Sequence, residues 1–416
     1  IVSCTLWFQF GYAEGVGEAL NDPVEVGLTT DRLDRIDGLV QRYVDDGRLP
    51  GAVYAVVRHG RLARIAHGGS VQPDTLFRIY SMTKPLTVVG VLMLYEEGKF
   101  LLTDPVALYL PEFTDMQVYV GEDNEEGRVE TRPAERPITI EDLLTHTAGL
   151  SYDDDTVAGV PKLYAQADLW SADSLSNFTE KVAALPLAFE PGSHWHYSVA
   201  NDVLGRLIEV VAAQPFDVFL EARILGPLKM KDTAFYVPDT KLDRFASLYR
   251  RDGAGMRLVE TPADSDYRNA EPVPFGGSGL VSTAADYLRF AQMLLNGGEL
   301  DDVRLLGRKT VELMMADHLG PDIKRPRLNE SWLGQTENRS GDMNLGLGHG
   351  YGGYVITDVA ENDVPGSVGT YAWGGGASTY FFIDPQEELI GLFLTQLTPS
   401  SSYPLRAQFR GLVYQA

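Results

Sequence analysis

Cysteine occurs once in the 416 residues, at Cys4. A lone thiol can form no internal disulfide and cannot supply a multi-cysteine zinc site. Nor is there an apolar run near the ~20 residues that a membrane span requires. H-E-x-x-H, the helical zinc signature, is missing, and so is G-x-S-x-G, the usual nucleophile elbow of α/β-hydrolases. Basic residues are scarce, 35 Lys and Arg against 58 Asp and Glu, for a formal charge of −23. So acidic a surface repels nucleic-acid phosphates and anionic membranes, and neither is expected as a partner. The opening IVSCTLWFQFGYAEG is short and has no basic n-region, so it does not read as a signal peptide. A soluble protein is expected, with the cytoplasm favoured over the periplasm or secretion.

What is present is ordinary globular composition, 44% hydrophobic and 22% charged, over a length that suits two lobes better than one core. TTDRLDRIDGLVQRYVDDG carries Leu33, Ile36, Val40, Tyr43 and Val44 at helical spacing. GAVYAVVRHGRLARIAHGG alternates around His59-Gly60 and predicts a hairpin, and STYFFIDPQEELIGLFLTQ predicts a second. YPLRAQFRGLVYQA closes the chain as a helix. Between these ends the clearest elements are the helices ITIEDLLTHT, ANDVLGRLIEVVAAQ and TAADYLRFAQMLLNGG, while GEDNEEGRVETRPAERP reads as a polar surface loop. Consecutive hairpins imply antiparallel pairing, hence an α+β fold. We expect an N-terminal extension over 1–29, a discontinuous sheet domain from 30–100 and 345–416, and an inserted helical domain over 101–344.

One helix poses a chemical question. In FRIYSMTKPLTVVGVLMLYEEGK the residues after Leu86 are apolar nearly all round, yet Ser81 and Lys84 stand three apart at its mouth with Pro85 behind them. Twenty Ser and nine Lys in this length give roughly 0.4 chance matches to S-x-x-K, so the motif alone proves little. Proline is tolerated only in a helix's first turn, which sets both residues at the N-terminus on one face. There the helix end would favour an oxyanion forming beside the serine. An ammonium against so apolar a surface is costly, which favours the neutral amine that a general base needs. The bland alternative is a capping serine and a lysine that snorkels to water.

Other candidates are weaker. GHGYGG matches G-x-G-x-x-G but precedes the strand-like YVITDV instead of opening a helix, so no dinucleotide cofactor is expected. His194 and His196 of HWH could face one side of an extended segment, but no third ligand is identifiable, and no metal is expected. His146 in LLTHTAGL is a possible base, with a structural role the simpler reading.

Three further stretches tip the balance: FEPGSHWHYSVANDVLGRLIEVV with Tyr197, the Gly-rich FGGSGLVSTAADYLRFAQMLLNGG, and YAWGGGASTYFFIDP. Together with SMTKP and LLTHTAGL, in this order, they resemble the serine β-lactamase and penicillin-binding-protein superfamily. The nearest likeness is to family VIII carboxylesterases, relatives of class C β-lactamases, from about residue 30 to the C-terminus. The resemblance implies a transpeptidase-like antiparallel sheet flanked by helices, with Ser81 as nucleophile and Lys84 and Tyr197 as its general base and acid pair. It implies an oxyanion hole from the backbone N–H groups of Ser81 and Gly376. Trp373, Gly374 and Gly375 take the place of K-T-G, and Val199 the place of the last residue of Y-x-N. An apolar Val and an indole offer no charge-assisted bond to a substrate carboxylate. The expected substrate is therefore a small, uncharged, short-chain ester, with some β-lactam turnover tolerable. A class C-like β-lactamase or D-alanyl-D-alanine peptidase is the alternative, followed by an acyltransferase and by a catalytically silent binding protein of the same fold. Oligomeric state is left open.

Overall fold

The computed structural model describes residues 22–122, 129–152, 160–321, 323, 346–362 and 364–416. Cys4, most of the expected 1–29 extension and the expected boundary at 344/345 lie outside or at the margin of these residues.

Helix α1 (Thr30–Asp45) buries Leu33, Ile36, Val40 and Tyr43 of the predicted stripe, with Leu39 beside them, while Val44 is part-exposed. Strands β1 (Gly51–Arg58) and β2 (Arg61–Gly69) turn at His59 and Gly60, both at positive φ, as a two-residue type I′ connection requires. The short β3 (Phe77–Arg78) then leads into α2 (Thr83–Glu96). Every residue of α2 from Thr83 to Leu94 is buried. Each large apolar side chain buried there contributes roughly 1.5–3 kcal/mol.

Next come β4 (Gln117–Glu122), β5 (Val129–Pro133), α3 (Ile140–Leu144), α4 (Val160–Gln166), α5 (Leu175–Ala183), α6 (Ala200–Ala212) and α7 (Phe216–Leu220). They are followed by β6 (Leu248–Asp252), β7 (Gly255–Glu260), β8 (Val281–Ser282), α8 (Ala284–Leu295), β9 (Glu299–Leu300), β10 (Val303–Arg304) and α9 (Arg308–Met314). The chain finishes with β11 (Leu347–Gly350), β12 (Gly353–Ile356), α10 (Val359–Asn362), β13 (Tyr371–Gly374), β14 (Tyr380–Asp384), β15 (Leu389–Leu394), β16 (Leu397–Thr398) and α11 (Leu405–Tyr414).

One antiparallel sheet gathers strands from both ends in the order β11-β12-β13-β14-β15-β1-β2. The join is β1 against β15, with Val53 opposite Leu394 and Arg58 opposite Leu389. Alternation along β14 divides the two faces. Phe382 meets Phe409 of α11, while its neighbour Phe381 meets Tyr287 of α8. Helices α1 and α11 thus cover one face and α8 the other.

The middle of the chain departs from its helical reading. Part of the polar loop GEDNEEGRVETRPAERP is strand, since β4 and β5 pair from Gln117↔Pro133 to Glu122↔Val129, and residues 123–128 lie outside the described set. Strands β6 and β7 form another hairpin, with β16 parallel to β6. Both hairpins are largely solvated; Leu258 and Val259 are about half exposed. Strands that bury no continuous face carry no strong alternation, so their signal in the sequence is weak.

Candidate active site

The turn before α2 is held from three sides. Ile79 N–H donates to Leu280 O, which ties the end of β3 to β8. Tyr80 then takes φ +43°, a left-handed conformation costly for an aromatic residue, and Tyr80–Met82 form a 3₁₀ turn that runs into α2. On the third side lies the glycine run after β13. A Cβ on Gly375 would stand 2.3 Å from Ile79 O, so only glycine lets this segment approach the turn.

Ser81 does not cap α2. Its Oγ instead accepts from Lys84 Nζ at 3.2 Å and from Tyr197 OH at 2.7 Å. Lys84 does not snorkel either; it is fully buried. Its Nζ also donates to Gly277 O at 2.7 Å and Tyr152 OH at 3.2 Å, and it lies 4.6 Å from the centre of the Tyr197 ring. Three acceptors thus surround a group with at most three protons. The fold therefore brings Ser81, Lys84 and Tyr197 into direct contact from positions up to 116 residues apart.

Tyr197 owes its place to two loops strapped together. His196 N–H donates to His146 O at 2.9 Å and Gly192 N–H to Thr147 O at 2.8 Å. His146 Nδ1 pairs with Ser198 Oγ at 3.2 Å, and His196 Nε2 with Ser151 Oγ at 3.1 Å. Burial, with the charges of His349, Lys84 and His196 adding to it, holds His146 well below its ordinary pKa and so keeps it neutral. Its ring centre is 4.9 Å from that of Tyr197. His146 is thus a brace of the tyrosine loop. His194 Nδ1 pairs with Ser193 Oγ at 2.8 Å. Among the described residues no group of three His, Cys, Asp or Glu could hold a metal ion.

Trp373 packs on Tyr197, with ring centres 5.5 Å apart, and on His349 at 5.6 Å. Burial brings His349 down to about 3, with the charge of His318 adding to the effect. Gly374 and Gly375 are buried, while Gly376 is partly open and a Cβ there would meet nothing within 4 Å. Arg406 Nη2 donates to Gly375 O at 2.8 Å, clamping the run from behind. Val199 corrects the sequence reading. It has no exposed surface, opens α6 as its N-cap, and donates its N–H to Ser151 O. Its side chain belongs to the core and not to the exposed surface of the site.

Sequence reasoning missed the second layer. Asp202, fully buried in the first turn of α6, accepts from the N–H of Gly277 at 2.8 Å, the residue whose carbonyl, in the next peptide group, holds Lys84. Burial pushes its carboxyl up to about 6, against smaller lowering effects of Lys84 and the Gly277 N–H. Its Oδ2 has no hydrogen-bond partner among the described residues. Gly277 must be glycine, since a Cβ would lie 2.6 Å from that oxygen. An acidic residue in the apolar stripe ANDVLGRLI was the available signal. Tyr152, a few residues beyond HTAGL, carried none.

Comparison with known proteins agrees with this architecture. The β-lactamase family profile matches residues 36–415. Protein Rv1367c of Mycobacterium tuberculosis is 36% identical, over 91% of this chain and 94% of its own. Esterase EstB of Burkholderia gladioli is 31% identical, over 94% of this chain and 98% of its own. Among solved structures, EstCE1, described as a hydrolase with promiscuous acyltransferase activity, superposes with a TM-score of 0.73 at 27% identity, covering 92% of this chain and 98% of that one. The chain belongs to the β-lactamase family, within the serine β-lactamase and penicillin-binding-protein-like superfamily that also holds the family VIII esterases.

Proposed function

We propose that this protein is a carboxylesterase that cleaves short-chain, uncharged esters through an acyl-enzyme on Ser81. The observation that carries this reading is the double contact on Ser81 Oγ, from Lys84 Nζ at 3.2 Å and Tyr197 OH at 2.7 Å. Lys84, its amine held by Gly277 O and Tyr152 OH, takes the hydroxyl proton together with Tyr197 as Oγ attacks the ester carbonyl. The oxyanion settles on the N–H groups of Ser81 and Gly376, where the open space above Gly376 leaves room for it. The leaving alkoxide takes a proton from the Lys84–Tyr197 pair. Water then attacks the acyl group, with the same pair as base, and frees Ser81.

The preference for uncharged esters rests on what lines the glycine run. Trp373 brings an indole where a carboxylate clamp would need a cation, and the guanidinium of Arg406 lies behind the strand, engaged with Gly375 O. A missing charge-assisted bond, worth roughly 1.5–3 kcal/mol, lowers kcat/KM for a carboxylate-bearing β-lactam by ~10- to 150-fold. The esterase name of EstB supports the same choice. The test is kcat/KM for p-nitrophenyl acetate and butyrate against nitrocefin at one pH. Better turnover of nitrocefin would replace this reading with the β-lactamase one. The acyltransferase activity in the description of EstCE1 supports a second reading, in which an alcohol competes with water for the acyl group.

A further inference from the structure

An unbroken line of aromatic rings leaves the nucleophile and ends in solvent. Tyr197 lies 5.3 Å from Tyr152, ring centre to ring centre, and Tyr152 is stacked at 18° on Trp170, 6.3 Å away. Trp170 meets Phe275 edge-on at 5.2 Å, and both rest on the buried Phe178. Tyr152 and Phe275 are part-exposed, and Trp170 is 41% exposed. That exposure is not a loose end. Trp170 stands in the 3₁₀ turn Leu169–Ser171, which Lys181 of α5 ties down by bonds to Asp168 O at 3.0 Å and Ser171 Oγ at 2.8 Å. A large apolar ring is thus presented to solvent on a fixed turn, continuous with the reacting atoms. Phe275 begins the loop whose Gly277 carbonyl holds Lys84, so the strip and the proton-transfer groups share one support.

The chemistry says which half of the ester lies along this strip. The carbonyl oxygen must point to the N–H groups of Ser81 and Gly376. The leaving oxygen must point to Lys84 and Tyr197, because it collects its proton there. Tyr152 OH is a direct neighbour of Lys84 Nζ, at 3.2 Å. Whatever is bonded to the leaving oxygen therefore runs outward over Tyr152 toward Trp170 and Phe275.

We propose that Tyr152, Trp170 and Phe275 form the alcohol-side subsite, and that the preferred leaving alcohol carries a planar aromatic ring. This rests on the ester-hydrolase reading of Ser81. Offset stacking or edge contact with aromatic rings adds roughly 0.5–1.5 kcal/mol beyond simple burial, a differential of about 3- to 10-fold.

The test compares benzyl, cyclohexylmethyl and ethyl acetates, which share an acyl group and release alcohols of similar acidity. The wild type should favour benzyl over cyclohexylmethyl acetate by about 3- to 10-fold in kcat/KM. Trp170→Ala and Trp170→Leu should both lower the benzyl-to-ethyl ratio by that factor, chiefly through KM, and Trp170→Phe should restore most of it. A leucine keeps apolar volume without a ring, so it separates stacking from bulk. Equal losses on all three esters, or a wild type indifferent to benzyl against cyclohexylmethyl, would overturn the subsite while leaving the esterase reading intact. A wild type that cleaves none of the acetates would overturn both.

Discussion

Asp202→Asn should make this protein more stable and a poorer catalyst, and the stability gain should depend on pH. The asparagine oxygen can still accept from Gly277 N–H, so the change removes charge while keeping that bond. Burial raises the Asp202 value from 3.8 to about 6. Between those values the folded protein holds the proton more tightly than the unfolded chain does, so the stability contributed by this group falls as pH rises through that window. A shift of that size corresponds to about 3 kcal/mol lost at neutral pH. Linkage puts the loss near 1 kcal/mol at pH 4.5 and near 3 kcal/mol at pH 7.5. Urea denaturation of both proteins at the two pH values reads this directly: the advantage of the variant should widen by about 2 kcal/mol from acid to neutral. Because Asp202 holds Gly277 by its N–H while the carbonyl of the same residue accepts from Lys84, kcat should fall in the same variant. A stability difference that does not change with pH would refute the reasoning.

Ser81→Ala should abolish ester hydrolysis and fluorophosphonate labelling while leaving the circular dichroism spectrum unchanged, because Ser81 caps nothing. Lys84→Ala and Tyr197→Phe should each reduce kcat by on the order of 10²–10⁴. Their double variant should lose far less than the product, because both act on one oxygen; multiplicative losses measured in the same assay would show two independent roles. Gly375→Ala forces a Cβ to within 2.3 Å of Ile79 O. It should displace the Tyr80–Met82 turn, with a loss of kcat larger than the accompanying change in KM.

Much of this architecture was legible because burial imposes a period. The stripe of α1, the all-apolar α2 and both terminal hairpins follow from side chains that must leave water on one face or on all of them. The contact of Ser81 with Lys84 was legible too, since residues three apart on a helix are neighbours. Tyr197 could be placed there only by family resemblance; no local rule foretells a contact between residues 81 and 197. The second layer was silent for a related reason. Asp202, Tyr152 and Arg406 act through long-range bonds to an N–H, an amine or a carbonyl, and such bonds leave no repeat in the chain. The burial of Val199 was not legible, because motif spacing says where a residue stands and not which way its side chain turns. The hairpins β4–β5 and β6–β7 escaped because their strands bury little.

The pairing of β1 with β15 has a consequence for how the molecule is made. Val53 finds its partner Leu394 about 340 positions later. At ribosomal rates of ~5–20 residues per second, the open edge of the β1–β2 hairpin waits roughly 17 to 70 s for its neighbour. An unpaired, apolar strand edge is the kind of surface that pairs with other chains. Gly375, which presses on the nucleophile's turn, arrives almost as late, so the site is assembled only long after Ser81 itself has been made. The nascent chain therefore spends its most aggregation-prone interval without activity, and its yield in a cell should respond to chaperone supply more than to the stability of the finished fold.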